Sequence, residues 1–233
     1  MQLVSDRVLI VVASEMEARA VASGLGATPP GRQWVASAVS PRVDLLVTGV
    51  GKTKAGAAVA HAVGLRPCGL LISAGIAGAL PSNGLPLRAV ARIASATFAD
   101  EGLITPGGFT DVASMGFPPV PGGGVSFDAD PSLHDRLGTV VSTSASVATV
   151  SSCSGTDRQA IEIAARTGAA LEDMETASIA LVCARLGIPW CGIRAVSNTT
   201  GDRAAQMWDI PSATEALTHV IGPGLRAVAP NAL

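Results

Sequence analysis

The chain has 233 residues and a formal net charge of -2, with 15% charged and 48% hydrophobic residues. A chain of this length can bury a large core, and its weak charge provides no basic face for a phosphate backbone, so nucleic acid is not an expected partner. Apolar runs such as VLIVVA and GLLISAGIAGAL fall well below the roughly 20 residues of a transmembrane helix, which predicts a soluble protein that does not bind membranes.

Predicted strands and helices alternate along the chain. Apolar or β-branched runs predict strands at about 7–13, 43–48, 69–74, 89–97, 139–150 and 190–197. Helical patterns occupy about 15–24, 53–64, 157–167, 174–186 and 211–228. This order predicts an α/β fold, a three-layer α/β/α sandwich with a mostly parallel, mixed sheet. Residues 105–124 are rich in glycine and proline and predict a long loop. No composition shift marks a boundary, so residues 1–233 are expected to form one domain.

Several motifs that would indicate other chemistry are missing. GVGKTKAG contains Gly-Lys-Thr, but Leu46 stands where a Walker A loop needs its first glycine. There is also no G-x-S-x-G elbow for a hydrolase triad. The histidines at 61, 134 and 219 are far apart without a ligand pair. Neither a metal nor another cofactor is therefore expected.

Two features predict the cellular location. The N-terminal stretch MQLVSDRVLIVVA has no small-residue cleavage site, so a secretory signal is not expected. The four cysteines, at positions 68, 153, 183 and 191, are widely spaced, which favours reduced thiols over a disulfide framework. Together these features predict a cytoplasmic protein.

Polar residues gather where the predicted strands end. The first strand runs into a helix with Ser14 and Glu17 at the S-x-x-E spacing of a capping box, so Glu17 has a structural interpretation beside a functional one. Glycines follow the second and third strands, at the edge where open α/β sheets bind ligands. Glu175 stands in the first turn of its helix, where the dipole favours negative charge. The last strand brings Arg194 and Asn198 to the same edge.

The chain resembles the nucleoside phosphorylase and hydrolase superfamily, in particular its 5'-methylthioadenosine/S-adenosylhomocysteine nucleosidase branch. The resemblance rests on ASEMEA, TGVGKTKAG, SAGIAGAL, LEDMETASIALVCARLGIP and IRAVSNTTGDR in that order, from about residue 8 to 203. Within the branch, FADEG, VSSCSGT and SNTTGDRAAQMWDI are similar to the futalosine hydrolase family. The resemblance implies a nucleoside phosphorylase-like fold and an enzyme that hydrolyses futalosine to release hypoxanthine, in an alternative route to menaquinone.

The resemblance also implies roles in cleaving an N-ribosidic bond, a reaction in which the sugar gains oxocarbenium character. Glu17 would orient and deprotonate the attacking water. Glu175 would accept a hydrogen bond from a ribose hydroxyl and stabilise the developing positive charge, while Met174 packs on the sugar face. Of the neighbouring acids, Asp173 is expected to be a helix N-cap and Glu172 to have a solvated or supporting role.

Asn198 indicates which purine leaves. Adenosine-type nucleosidases of the superfamily carry an aspartate here that can donate a proton at purine N7. Asparagine cannot do so, but its NH₂ can donate to a 6-oxo group and its carbonyl can face a protonated N7. The residue therefore favours hypoxanthine or guanine over adenine, with a strand-end cap as the structural alternative.

The resemblance implies further nucleoside-binding positions. These are Val50, Gly75, Ile76, Gly78, Cys153, Gly155, Thr156, Ser197 and Arg203. The segment that contains Cys153, Gly155 and Thr156 aligns with the one that lines the purine in relatives, and backbone contacts are favoured there over thiol chemistry. Ile76 departs from the pattern, because methylthioadenosine nucleosidases have a serine there that contacts the water or the sugar. Phosphorylases place arginines before this loop and after the first strand to hold phosphate. LLISAGIAG has none, and Arg19 is expected to be a solvated surface charge, so hydrolysis is favoured over phosphorolysis.

Futalosine carries a benzoate on its ribose arm, which needs a cation for the carboxylate and an apolar wall for the ring. Arg203 is our candidate for the cation, and Phe109 and Phe117 of the long loop for the wall; an exposed arginine and ordinary loop aromatics are the alternatives. Asp100 and Glu101 either border this pocket or form a turn. Members of the superfamily are commonly dimers or larger, so a homodimer or larger homo-oligomer is expected.

Other functions stay open from the sequence. A methylthioadenosine/adenosylhomocysteine nucleosidase would release adenine faster than hypoxanthine, and a purine nucleoside phosphorylase would depend on added phosphate. A nucleoside-binding sensor would bind without turnover. The presence of both Glu17 and Glu175 argues against the sensor.

Overall fold

The structure is a computed structural model that describes residues 5–81 and 85–232. Residues 1–4, part of the N-terminal stretch considered above, lie outside the described residues. The strands are β1 (Val8–Val12), β2 (Ser37–Ser40), β3 (Val43–Val47), β4 (Leu70–Ala79), β5 (Val90–Phe98), β6 (Gly102–Thr105), β7 (Gly108–Asp111), β8 (Ser126–Asp128), β9 (Ser144–Thr149), β10 (Leu171–Asp173) and β11 (Trp190–Thr199). The helices are α1 (Glu15–Gly24), α2 (Lys52–Leu65), α3 (Pro131–Leu137), α4 (Asp157–Thr167), α5 (Thr176–Leu186) and α6 (Ile210–Val228).

Each predicted strand and helix is present, with shifted boundaries for some. The strand predicted at 139–150 begins only at Ser144, and the one predicted at 69–74 continues to Ala79. The predicted loop at 105–124 is wrong in its first part, because β6 and β7 form an antiparallel hairpin. Gly108 adopts a φ of 119°, which a residue with a side chain rarely adopts, and this allows the tight turn.

The main sheet is mixed, as predicted. Its strand order is β10-β9-β5-β11-β4-β1-β3-β2, and β8 pairs with β5. Strands β3, β1, β4 and β11 run parallel to one another, whereas β5 is antiparallel to β11. β10 pairs with both β9 and β4, so β10, β9, β5, β11 and β4 close into a ring that the predicted open layer does not contain.

Helices cover both faces of the sheet because its central strands are apolar on both sides. Along β1, Val8, Ile10 and Val12 face a core shared with α1, α3 and α6. Leu9 and Val11 face the opposite core, which is shared with α2 and α5. This is the packing that an uninterrupted apolar run predicts. The parallel strands β1, β3, β4 and β11 end at one edge, and the candidate site is built on the last residues of β4 and β11 and on segments that follow the strands.

Candidate active site

Glu17 is fixed by hydrogen bonds from two different segments. Its Oε2 accepts from the backbone N–H of Ser14 at 2.8 Å and from the Oγ of Ser14 at 2.9 Å, which completes the predicted capping box of α1. Its Oε1 accepts from the N–H of Ile76 in β4 at 2.9 Å. The residue is 5% exposed. The structural interpretation of Glu17 is therefore confirmed, and the same carboxylate also reaches the edge of the sheet.

Gly75 makes this second contact possible. A Cβ at this position would lie 2.5 Å from Oε1 of Glu17 and 3.7 Å from the guanidinium carbon of Arg194. A separation of 2.5 Å between a carbon and a carboxylate oxygen is a steric overlap, so a side chain at 75 would displace Glu17. The glycine predicted as a ligand-binding position thus also creates the space for Glu17.

Glu175 is the N-cap residue of α5, one residue before the first turn in which it was predicted, and its side chain does not cap the helix. Its Oε1 accepts from the N–H of Gly51 at 2.8 Å, in the turn between β3 and α2. Burial, followed by the charge of Asp173, raises the pKa of Glu175 to about 8, and the charge of Glu17 acts in the same direction. The Gly51 N–H and Arg194 oppose this rise. Glu17 and Glu175 therefore share one buried electrostatic environment.

Asp173 is the last residue of β10, so its predicted role as the N-cap is wrong. Its carboxylate accepts from the N–H and Oγ1 of Thr176 at the start of α5. Its Oδ2 also lies 3.1 and 3.0 Å from Nε and Nη2 of Arg194. Arg194 is 2% exposed and donates further to the O and Oγ of Ser73 in β4. A buried guanidinium needs a carboxylate to balance its charge, and Asp173 meets that need.

Glu172 is buried, so the solvated role considered for it is wrong and the supporting role remains. The residue is 5% exposed, and its carboxylate accepts from the N–H of Ser154 at 2.8 Å and also from the Oγ of Ser154. Desolvation by burial raises the pKa of Glu172, and the two hydrogen bonds from Ser154 oppose that rise. The cause of the burial is that β10 lies between β9 and β4 in the closed ring.

Asn198 lies at the end of β11 and is 8% exposed. Its Oδ1 accepts from the Oγ of Ser197 at 2.8 Å, and its Nδ2 donates to the carbonyl of Thr199 at 3.0 Å. Among the described residues, no partner occupies the second amide N–H or a second lone pair on Oδ1. Ser197 is itself buried and reaches the site by orienting this amide.

Strand β4 brings the three predicted catalytic residues to one region. Glu17 is bound by Ile76 of this strand, and Asn198 is in register with Gly78 two residues further along. Glu175 follows β10, which pairs with the same end of β4. The structure thus brings together Glu17, Glu175 and Asn198, which are far apart in sequence. Their catalytic roles stay predictions.

The predicted purine-lining segment, residues 153–156, is held by the segment that follows β11. The N–H of Arg203 donates to the carbonyl of Gly155 at 3.0 Å, and Nε2 of Gln206 donates to the carbonyl of Ser154 at 2.9 Å. Cys153 is exposed as a whole residue, but its sulfur is partly shielded from solvent. This burial, followed by the charge of Glu172, raises the pKa of the thiol to about 11. The thiol is therefore protonated near neutral pH, in line with a contact role.

Other predicted substrate-binding residues have mixed surroundings. Thr156 is the N-cap of α4, and its side chain accepts from the N–H three residues later, so it has a structural role of its own. Val50 is 50% exposed next to Gly51, whose N–H holds Glu175. Met174 is partly buried and packs against an apolar cluster that includes Leu80 and Ala160.

The predicted arm-binding residues have separate neighbours. Arg203 is exposed, lies 4.7 Å from the centroid of the Trp208 ring, and donates to Gln206 at 2.8 Å. Phe109 instead lies under Arg166 of α4 at 4.4 Å, and Phe117 is 71% exposed. How the benzoate arm is held therefore stays a prediction.

Lys52 is a buried cation that sequence reasoning missed. Its Nζ lies 2.6 Å from Asp100 Oδ1 and 3.0 Å from Glu101 Oε1, and its side chain is 8% exposed. It also lies 5.3 Å from the ring centroid of Phe98, and Asp100 accepts from the N–H of Ser151 at 2.6 Å. The two acids considered above as a pocket border or a turn thus neutralise a lysine beside Gly51. The only sequence signal was a lysine directly after a glycine turn.

The remaining predictions concern a surface arginine, metal ligands and membrane-spanning helices. Arg19 is exposed, as predicted. Within residues 5–81 and 85–232, no three His, Cys, Asp or Glu side chains are grouped as metal ligands. Over the same residues, none of the helices combines the length and the hydropathy needed to cross a bilayer.

Comparison with known proteins identifies the class. Residues 7–222 match the model of the phosphorylase superfamily, and the chain belongs to that superfamily. A futalosine hydrolase from Acidothermus cellulolyticus is 34% identical over 221 residues, covering 91% of this chain and 87% of the relative. A futalosine hydrolase from Streptomyces coelicolor is 35% identical over 191 residues, covering 77% of each chain. The chain is therefore a member of the futalosine hydrolase family.

Solved structures show the same fold. A futalosine hydrolase mutant from Helicobacter pylori superposes with a TM-score of 0.76 at 16% identity, covering 96% of this chain and 98% of that chain. A 5'-methylthioadenosine/S-adenosylhomocysteine nucleosidase from Neisseria meningitidis superposes with a TM-score of 0.73 at 22% identity, covering 96% of this chain and 97% of that chain. The predicted nucleoside phosphorylase-like fold is therefore confirmed.

Proposed function

We propose that the protein is an N-glycosyl hydrolase that cleaves futalosine to hypoxanthine and dehypoxanthine futalosine, in the alternative menaquinone pathway. The observation that carries the proposal is the meeting of two buried carboxylates, Glu17 and Glu175, with the amide of Asn198 at one end of β4. The names of the relatives, futalosine hydrolases from three bacteria, support the choice of substrate.

In this proposal Glu17 is the general base. A water held against its carboxylate loses a proton to it as the water oxygen forms the new bond to C1' of the ribose. The bond from C1' to the purine nitrogen breaks, and its electron pair leaves with the purine. Glu17 is already fixed by Ser14 and Ile76, so little reorganisation is needed at the moment of reaction. Glu175, in its ionised form, accepts from a ribose hydroxyl and stabilises the positive charge on the sugar.

The purine receives its N7 proton from solvent in this scheme, because an asparagine side chain has no titratable proton to give. The free N–H of Asn198 donates to the 6-oxo group, and its Oδ1 accepts from the protonated N7. The bond from Ser197 to Oδ1 and the bond from Nδ2 to Thr199 favour one orientation of the amide. An adenine would direct its 6-amino donor at the same N–H, a mismatch that costs about 1–3 kcal/mol.

The partners of Arg194 and the exposure of Arg19 favour hydrolysis over phosphorolysis. Arg194, the guanidinium beside Gly75, is committed to Asp173 and Ser73. Arg19 is exposed on α1. A phosphate beside Glu17 would place a second anion close to a buried carboxylate, and neither the paired Arg194 nor the solvent-exposed Arg19 is a buried, free guanidinium that could balance it.

The test is incubation with futalosine, inosine and methylthioadenosine side by side, with and without phosphate, followed by liquid chromatography of the released purine. Hypoxanthine from futalosine, at a rate independent of phosphate, is the expected result. Faster release of adenine from methylthioadenosine would instead support the nucleosidase alternative. A rate that requires phosphate would support a phosphorylase.

We also propose that the chain works in the cytoplasm, as one domain in a homodimer or larger homo-oligomer. Exposed apolar side chains near the turn after β3 and on the β6–β7 hairpin support an interface, namely Val50 (50%), Leu103 (48%) and Ile104 (83%). Light scattering at micromolar concentration should report more than one chain per particle. Replacing Ile104 by Glu should lower that mass. A mass of a single chain for the wild-type protein would contradict the proposal.

A further inference from the structure

Glu172 and Asn198 flank one glycine in the sheet. Gly78 of β4 is in register with Glu172 of β10 on one side and with Asn198 of β11 on the other. Residues in register on neighbouring strands direct their side chains to the same face of a sheet. Because Gly78 has no side chain, no side chain separates these two polar groups at this point of the sheet. A Cβ at Gly78 would lie 3.0 Å from Nδ2 of Asn198.

Glu172 is also a buried carboxylate without a cation. In the part of the chain that the structure describes, its hydrogen bonds come from Ser154, and Arg194 is paired with the adjacent residue Asp173 instead. Burying a carboxylate without a positive partner is costly. A carboxylate offers about four lone-pair sites, and Ser154 uses two of them. The remaining acceptor capacity is explained by a ligand that presents a hydrogen-bond donor.

A 6-oxopurine presents such a donor. In hypoxanthine, N1 carries a hydrogen and lies next to the C6 carbonyl, so a donor and an acceptor are adjacent on one edge. In adenine, N1 carries a lone pair and C6 carries an amino group, so the pattern is reversed. A carboxylate beside an amide donor therefore matches hypoxanthine and opposes adenine.

We propose that Glu172 is a specificity-determining residue that accepts a hydrogen bond from N1–H of the 6-oxopurine while Asn198 donates to its O6. The inference rests on the proposed function, because it requires the purine to lie beside Asn198. It assigns the choice of base to two side chains, one on each side of Gly78.

A purely structural role for Glu172 makes a different prediction. Ser154 belongs to the segment 153–156 that is expected to line the purine, and its carbonyl accepts from Gln206. If Glu172 only anchored Ser154, then Glu172→Gln and Ser154→Ala would impair the cleavage of all nucleosides alike. Ser154→Ala removes the Oγ bond but keeps the carboxylate, so it is the matched control.

The experiment compares kcat/KM for futalosine and for its 6-amino counterpart in the wild-type protein, Glu172→Gln and Ser154→Ala. The ratio of the two values should favour futalosine in the wild type, fall by about tenfold or more in Glu172→Gln, and stay within about threefold of wild type in Ser154→Ala. A folded Glu172→Gln variant with a wild-type ratio would overturn the inference.

Product binding gives a second readout. Hypoxanthine should inhibit the wild-type protein about tenfold more strongly than 1-methylhypoxanthine, which lacks N1–H, and Glu172→Gln should bring the two closer together. The wild-type arm needs no variant, so it can overturn the inference even if Glu172→Gln does not fold: equal inhibition by both purines does so. If the wild-type protein cleaves futalosine but shows this equality, only the inference fails. If it releases no hypoxanthine from futalosine, the proposed function fails.

Discussion

Replacing Glu175 by Gln should stabilise the fold increasingly as the pH rises. The buried carboxyl has a pKa of about 8, against an ordinary value of 4.5. Between these values the unfolded chain releases the proton while the folded chain keeps it, so the wild-type free energy of unfolding falls by about 1.4 kcal/mol per pH unit. Over the 3.5 units that separate the two values, the loss is on the order of 4–5 kcal/mol. Gln is uncharged, and its Oε1 can still accept from Gly51.

Urea unfolding of both proteins at pH 4.5, 6, 7.5 and 9 measures this effect. The free energy of unfolding of Glu175→Gln minus that of the wild type should rise through this range and level off above about pH 8. Subtracting the wild type at each pH cancels the titrating groups that do not interact with Glu175, so the difference reports Glu175 together with its neighbours Asp173 and Glu17. Glu162→Gln, at an exposed carboxylate on α4, is the matched control and should give a nearly flat difference. A flat difference for Glu175→Gln as well would refute the assignment of a buried, proton-holding carboxyl.

Further changes separate the roles of the site residues. Glu17→Gln should lower kcat for hypoxanthine release by about 10²–10⁴-fold, and a wild-type rate would remove the proposed general base. Gly75→Ala should lower both activity and melting temperature, because its Cβ would lie 2.5 Å from Glu17 Oε1, whereas Gly56→Ala in α2, whose nearest neighbour would be at 3.6 Å, should keep both. Asn198→Asp should shift chromatographic purine release toward adenine, and an unchanged preference would contradict the role of the amide. If Glu175 acts as an anion, kcat/KM should rise with pH through about 8; a profile without this acidic limb would exclude that role.

The sequence predicted the parts of the fold that are fixed by local pattern. Apolar runs buried on both faces, such as β1, stand out whatever surrounds them. The three-residue strand β10 was missed because its sequence, Leu-Glu-Asp, contains two acids and has no apolar run. It is a strand only because β9 and β4 pair with it from both sides, and such partners cannot be seen from local sequence.

The contacts of the candidate site likewise divide into those that follow from local sequence and those that depend on distant residues. The capping box at Ser14 and Glu17 is a four-residue pattern and was predicted correctly. The pairing of Asp173 with Arg194 was not predicted, because Arg194 is 21 residues away in sequence and is brought to Asp173 by the pairing of β11 with β4. Lys52 was missed for the same reason, since the acids that neutralise it follow β5.

The double attachment of Glu17 restricts how this scaffold can change. One carboxylate oxygen completes the opening turn of α1 while the other is bound to β4, so a histidine or a cysteine at this position would surrender both attachments together. Descendants of this chain could alter the preferred base through β10 and β11 while α1 stays intact. A new kind of water-activating group at residue 17 would lose the half of the capping box that the Glu17 side chain supplies, while the bond from the backbone N–H of residue 17 to the Oγ of Ser14 would remain.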